Sequence, residues 1–216
     1  MNRIGTLLLA GAVAATGLAA GSALSQEGPK EPPKEEFKGA DPRDHSPADM
    51  NRRMMESMTP NRFHKRLERL LGEWDVELKM WMNPGGPPMV SKGTGRWSWL
   101  FEGKWIQGAT DMDFMGMKMQ LRTTLGYDNF KRKYVSASVN SMETALRHAE
   151  GNFGKDDSVL YTYGPVDEYM TGEHDKTSAF VYRFESPDRF TIEVHDLAIG
   201  LENAKVMEMV YTRKPR

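Results

Sequence analysis

The sequence predicts an all-β fold, an antiparallel up-and-down barrel of about ten strands preceded by a short N-terminal helical segment. Three observations carry that prediction. After Gly72 the chain passes through ten short runs of β-type patterning at roughly ten-residue spacing. Turn chemistry separates the runs, and no stretch beyond Gly72 repeats apolar residues at helical spacing over the length of an ordinary helix. Closing such a meander on itself removes both exposed edges and leaves an interior that holds side chains or one small ligand.

The chain opens with Met1-Asn2-Arg3, an apolar run from Ile4 to about Gly21, and Ala23-Leu24-Ser25. A cationic start, an apolar middle and small residues before a cut predict a cleavable signal over residues 1–25, with the mature chain starting at Gln26 in the periplasm or outside the cell. Residues 26–45 hold Pro29, Pro32, Pro33 and Pro42 among many Lys and Glu, a composition that buries too little apolar surface to order itself and reads as a linker. Two short helices are expected over 46–71. Ser46 caps the first, Pro47 suits its first position and Met50, Met54 and Met58 form a packing stripe. Thr59-Pro60 repeats that grammar for the second, where Phe63, Leu67, Leu70 and Leu71 share a face before Gly72 ends the helix.

The barrel domain is then 72–216. Glu73 to Met82 alternates, with Trp74, Val76, Leu78 and Met80 on one side and Glu73, Asp75, Glu77 and Lys79 on the other. Runs at 90–101, 104–114, 117–127, 132–141, 145–153, 158–165, 176–185, 189–198 and 204–213 follow, punctuated by segments such as Met115-Gly116 and Ser186-Pro187-Asp188. The runs 145–153 and 158–165 alternate too poorly to assign an inward face.

Composition excludes whole classes. With 29 Lys+Arg against 30 Asp+Glu, interspersed, the chain has no basic stripe for nucleic acid. Zero cysteine removes disulfides, thiolate metal sites and cysteine nucleophiles. Past residue 25 no apolar run is long enough for a membrane helix. There is no Gly-x-Ser-x-Gly elbow, and Gly93-Thr94-Gly95 sits on a strand rather than ahead of a helix, so neither a hydrolase nor a phosphate loop is indicated.

The helix leading into Gly72-Glu73-Trp74, with Arg213 on the last strand, resembles the signature of the lipocalin and fatty-acid-binding (calycin) barrels, which implies that Trp74 crosses the barrel floor and Arg213 packs on it. A longer set of residues is similar to a bacterial family known only as a domain of unknown function. It comprises Leu70-Leu71-Gly72-Glu73-Trp74, Gly93-Thr94-Gly95-Arg96, Gly126-Tyr127-Asp128-Asn129, Asn140-Ser141-Met142 and the closing Met207-Glu208-Met209…Tyr211-Thr212-Arg213-Lys214. That resemblance spans about 61–214 and implies a lipocalin-like barrel, frequent secretion and no established activity. Phe101-Glu102-Gly103-Lys104 departs from the Gly-Gly-Arg turn usual there.

Phasing each run from its apolar face makes Thr123, Tyr127, Tyr182, Asp196 and Tyr211 inward-facing polar groups, and Arg96 joins them as a candidate ligand contact beside the floor pair Trp74 and Arg213. A few placed polar groups in an apolar wall are what a pocket for a small apolar or amphipathic molecule needs. Two rival readings stay open. One is an enzyme with an interior acid–base set such as Tyr127, Asp196 and Arg213. The other is a copper-binding protein using Met112, Met115, Met117 and Met119, since soft thioethers suit Cu(I). No cofactor is required by any motif. The five histidines show no metal-ligand spacing, although His148 or His195 is the candidate if haem is bound as in related nitrobindin-type barrels.

Overall fold

The computed structural model describes residues 46–83, 85–169, 171–199 and 204–215. The expected signal and linker, residues 1–45, lie outside these. Ten strands form a closed antiparallel barrel: β1 (Gly72–Met80), β2 (Met89–Phe101), β3 (Trp105–Phe114), β4 (Met117–Asp128), β5 (Lys133–Asn140), β6 (Arg147–Phe153), β7 (Val159–Glu168), β8 (Glu173–Ser186), β9 (Arg189–Asp196) and β10 (Ala204–Arg213). Each strand pairs with its neighbour in sequence, and β1 closes on β10 with Trp74 opposite Arg213 and Met80 opposite Met207. Strand alternation therefore sends Trp74, Val76, Leu78 and Met80 inward, as the sequence pattern requires.

The two strands without readable alternation have a physical reason for it. On β6 the inward positions carry Arg147, Ala149 and Gly151, and on β7 Gly164 takes one. A Cβ on Gly151 would lie 1.9 Å from the Tyr161 carbonyl, and one on Gly164 equally close to that of His148. Close backbone approach, rather than apolar packing, sets these residues.

The helical segment departs from expectation in two ways. In α1 (Pro47–Met58), Ser46 does cap, its hydroxyl accepting from the Asp49 N–H at 3.2 Å. The Met stripe, however, is not buried against the barrel among the described residues: Met50, Met54 and Met58 are each more than half exposed. The second helix starts later than Thr59-Pro60 suggests. Thr59 ends α1, donating its hydroxyl to the Met55 carbonyl, and Asn61 caps α2 (Arg62–Lys65), accepting from the Phe63 N–H at 2.9 Å. His64 completes a capping box by accepting from the Asn61 N–H at 3.1 Å. A 3-10 turn, Arg66–Leu70, then drops Leu67 and Leu70 fully into the barrel end.

Candidate functional site

The two ends of the barrel differ. At the end where the helical segment enters, the interior is sealed by aromatic rings in continuous contact. Phe63 of α2 stacks on Tyr127 with centroids 4.6 Å apart, and the chain continues through Tyr134, Phe153, Phe184 and Phe190 to Tyr211. Trp74 meets Phe190 edge-on at 4.7 Å and donates its indole N–H to the Leu70 carbonyl at 2.9 Å. The Arg213 guanidinium lies 4.1 Å over Trp74 and donates to the Leu71 and Pro187 carbonyls, which locks the last strand to the helical segment. Polar groups here are spent on structure. The Tyr134 hydroxyl donates to the Phe63 carbonyl at 2.9 Å, and burial pushes its pKa up to about 12. The Tyr211 hydroxyl pairs with Thr110 at 3.0 Å, and burial pushes it up to about 12 as well.

At the opposite end several inward side chains are half-buried, although Met112, Met119 and Asp196 are buried, and they divide by chemistry. On β10, β1, β2, β3 and β4 they are Met207, Met80, Met89, Phe114 and Leu121. On the other side, Thr123, Ser138 and Arg147 are directly opposed in one row across β4, β5 and β6. Arg147 pairs with Glu143 at 2.7 Å, and Asn140 donates to the same carboxylate at 2.6 Å. Farther round, Lys176 of β8 pairs with Asp196 of β9 at 2.7 Å, and Asp196 also accepts from the Ala198 N–H at 2.9 Å. The Arg147–Glu143 pair presents a dipole rather than net charge, while Lys176 also meets Glu173 at 3.3 Å, so that cluster sets one cation against two carboxylates.

Between the two ends lie hydroxyls that the protein leaves without partners. Tyr182, Ser178 and Thr123 are nine-tenths or more buried, and none makes a side-chain hydrogen bond among the described residues. Burial raises the Tyr182 hydroxyl far above its ordinary pKa, so it is a neutral donor and acceptor. Buried polar groups are ordinarily paired; among the described residues the one buried side-chain polar atom without a partner is the Trp97 indole N–H, whereas the Tyr182, Ser178 and Thr123 hydroxyl oxygens keep some accessible surface.

The structure thus sorts the candidates. Tyr182 and Asp196 face the half-buried end and Thr123 lies between. Tyr127 is part of the aromatic seal and Tyr211 is committed to Thr110. Arg96 is corrected: it is exposed on the outward phase of β2, opposite Glu73 of β1, because Gly95 and Trp97 take the inward positions. Tyr127, Asp196 and Arg213 do not form a catalytic set. Tyr127 and Arg213 stand at the sealed end, Arg213 held by carbonyls, and Asp196 at the opposite end against Lys176. The proposed methionine set also divides, Met112 and Met119 being buried and inward while Met115 and Met117 are exposed at the β3–β4 turn. Sequence reasoning missed Arg147, Glu143, Lys176 and Ser178. The i, i+4 spacing of Glu143 and Arg147 was the one available signal.

Neither histidine named as a haem candidate faces the barrel interior. His148 is exposed on the outward phase, His195 lies outside against Glu193 at 3.1 Å, and His174 stands beside Asp167 with its side chain 82% exposed. His64 is buried in its cap, and His45 is outside the described residues.

Residues 59–213 match the family described as "Protein of unknown function (DUF1579)". Among solved structures, the crystal structure of Rv2717c from M. tuberculosis is similar with a TM-score of 0.51 at 14% identity, covering 73% of this chain and 100% of that one, a likeness of fold. A redesigned beta barrel has a TM-score of 0.36 at 9% identity, over 69% of this chain and 96% of its own. No curated protein matches.

Proposed function

The chain belongs to that family of unknown function, and we propose that it is an exported protein that binds one small amphipathic molecule in the unsealed half of its barrel. The observation that carries the reading is the set of hydroxyls on Tyr182, Ser178 and Thr123, which belong to buried residues, make no hydrogen bond among the described residues and keep accessible surface, beside a wall of Met and Phe. The apolar wall supplies affinity and the hydroxyls fix orientation through neutral hydrogen bonds. With Arg147 and Lys176 already neutralised by Glu143 and Asp196, the polar part of the ligand is best matched by an uncharged hydroxyl, carbonyl or amide.

The test uses a neutral dye that brightens in apolar surroundings, titrated into the full chain, with Tyr182→Phe and Ser178→Leu as variants. Saturation at one equivalent, about tenfold weaker in Tyr182→Phe and lost when Ser178→Leu fills the interior, is the expected result. Equal binding by all three folded proteins refutes it. Export is tested by N-terminal sequencing of the protein from the extracellular or periplasmic fraction, where Gln26 is the expected first residue.

A further inference from the structure

The methionines assemble in the fold in a way their sequence positions conceal. Met80 is directly opposite Met207 on one side and Met89 on the other, so β10, β1 and β2 carry three thioethers on one inward row at the unsealed end. All three side chains are half-buried, with Met207 also packing against the barrel core. Opposed residues on adjacent strands hold their Cβ atoms about 5 Å apart, and methionine is long and flexible enough for three neighbouring sulfurs to converge on one point. The next inward position of β2 is Ser91, and at the one after it, Gly93, a Cβ would lie 2.5 Å from the Met112 Cβ, so β3 closes on the strand there. Met209, the next inward residue of β10, is occupied otherwise, its sulfur accepting the Tyr211 hydroxyl at 3.8 Å.

From this arrangement we infer that Met80, Met89 and Met207 form a binding site for one soft monovalent cation of the Cu(I) class. Thioethers are neutral, soft donors that select Cu(I) over hard or borderline ions. The cations nearby do not oppose it. Lys79 and Lys205 sit on the outer face and are paired with Glu208, and Lys176 is paired with Asp196. The site differs from the Met112–Met119 hairpin suggested by sequence, whose Met115 and Met117 point into solvent. The row belongs to the apolar wall of the proposed organic site, and the experiment separates the two readings because it reads Cu(I) alone.

The experiment is anaerobic titration of the full chain with Cu(I) against bicinchoninate, using Met80→Leu, Met89→Leu, Met207→Leu and the triple variant. Leucine conserves apolar volume, so the fold is kept while the sulfurs are removed. Wild type is expected to withdraw one equivalent, each single variant to bind at least tenfold more weakly, and the triple to bind none. A control with Met50, Met54 and Met58 of α1 changed to Leu binds as wild type. Wild type that fails to compete, a triple variant that still binds, or a loss that follows the α1 variant overturns the inference. If the triple variant does not fold, X-ray absorption of the Cu(I)-loaded wild type decides: a shell of three sulfurs supports the site, and a nitrogen and oxygen shell overturns it.

Discussion

Replacing Gly72 with Ala puts the junction between the helical segment and the barrel to a quantitative test. Gly72 has a φ of 128°, a conformation that strains any side chain, and a Cβ there would lie 2.4 Å from Nη1 of Arg213. The backbone strain alone costs about 1–3 kcal/mol. The guanidinium must also move, losing its hydrogen bond to the Leu71 carbonyl, about 1 kcal/mol, and its place over Trp74, about 1 kcal/mol. The expected total is about 4 kcal/mol, a large share of the roughly 5–15 kcal/mol of a typical domain. Gly116 is the internal control: its φ is 78°, but nothing lies within 4 Å of a Cβ there. Gly116→Ala should therefore cost only strain, about 1–2 kcal/mol. Urea unfolding followed by tryptophan fluorescence measures both. Equal costs for the two variants would show that Arg213 does not hold this junction.

Other outcomes follow from the same geometry. Asn61→Ala removes the α2 cap and should cost about 1 kcal/mol in urea unfolding, whereas Thr59→Ala, at the position the sequence favoured, should cost less. Burial, with the nearby Lys104 charge, lowers the His64 pKa below its ordinary value against a hydrogen bond to the Tyr127 main chain that raises it. The unfolded chain then takes up the proton first, so the stability from neutral His64 is present above about pH 6.5 and is lost as pH falls through the folded value; His64→Gln should flatten that part of the stability–pH curve. Burial pushes the Glu193 carboxyl up, but hydrogen bonds from His195 and Arg183 and the charge of Lys205 outweigh it and hold the pKa below the usual range. Its contribution is present above about pH 4.5 and lost on further acidification, and Glu193→Gln should lessen the loss of stability in acid. Tyr182→Phe removes a hydroxyl with no protein partner and should leave the melting temperature of the ligand-free protein within about 2 °C, unlike Tyr134→Phe, which breaks the bond to the Phe63 carbonyl.

How far the sequence could be read depended on what set each residue. Where one strand face is core and the other solvent, as from Glu73 to Met80, alternation reveals the inward residues, and the Trp74–Arg213 contact is the one that the resemblance to the calycin barrels implied. Where backbone approach sets the residue, as at Gly151 and Gly164, no hydrophobic pattern survives and the phase was lost. Arg96 was misplaced because glycines on both sides of Thr94 hide which face is inward. Thr59-Pro60 and Asn61 both satisfy cap chemistry, and only the three-dimensional path decides between them; Asn129 donates to the Glu56 and Thr59 carbonyls and fixes where α1 ends. The Lys176–Asp196 pair and the row of Met207, Met80 and Met89 join strands distant in sequence and leave no local trace.

Native mass spectrometry of the chain, purified without added ligand and then denatured, tests the central claim most directly. The account predicts release of one defined small organic molecule in near-stoichiometric amount, with markedly lower occupancy in Tyr182→Phe. A chain that shows no adduct, and that binds no neutral amphipathic probe at one equivalent, would contradict it.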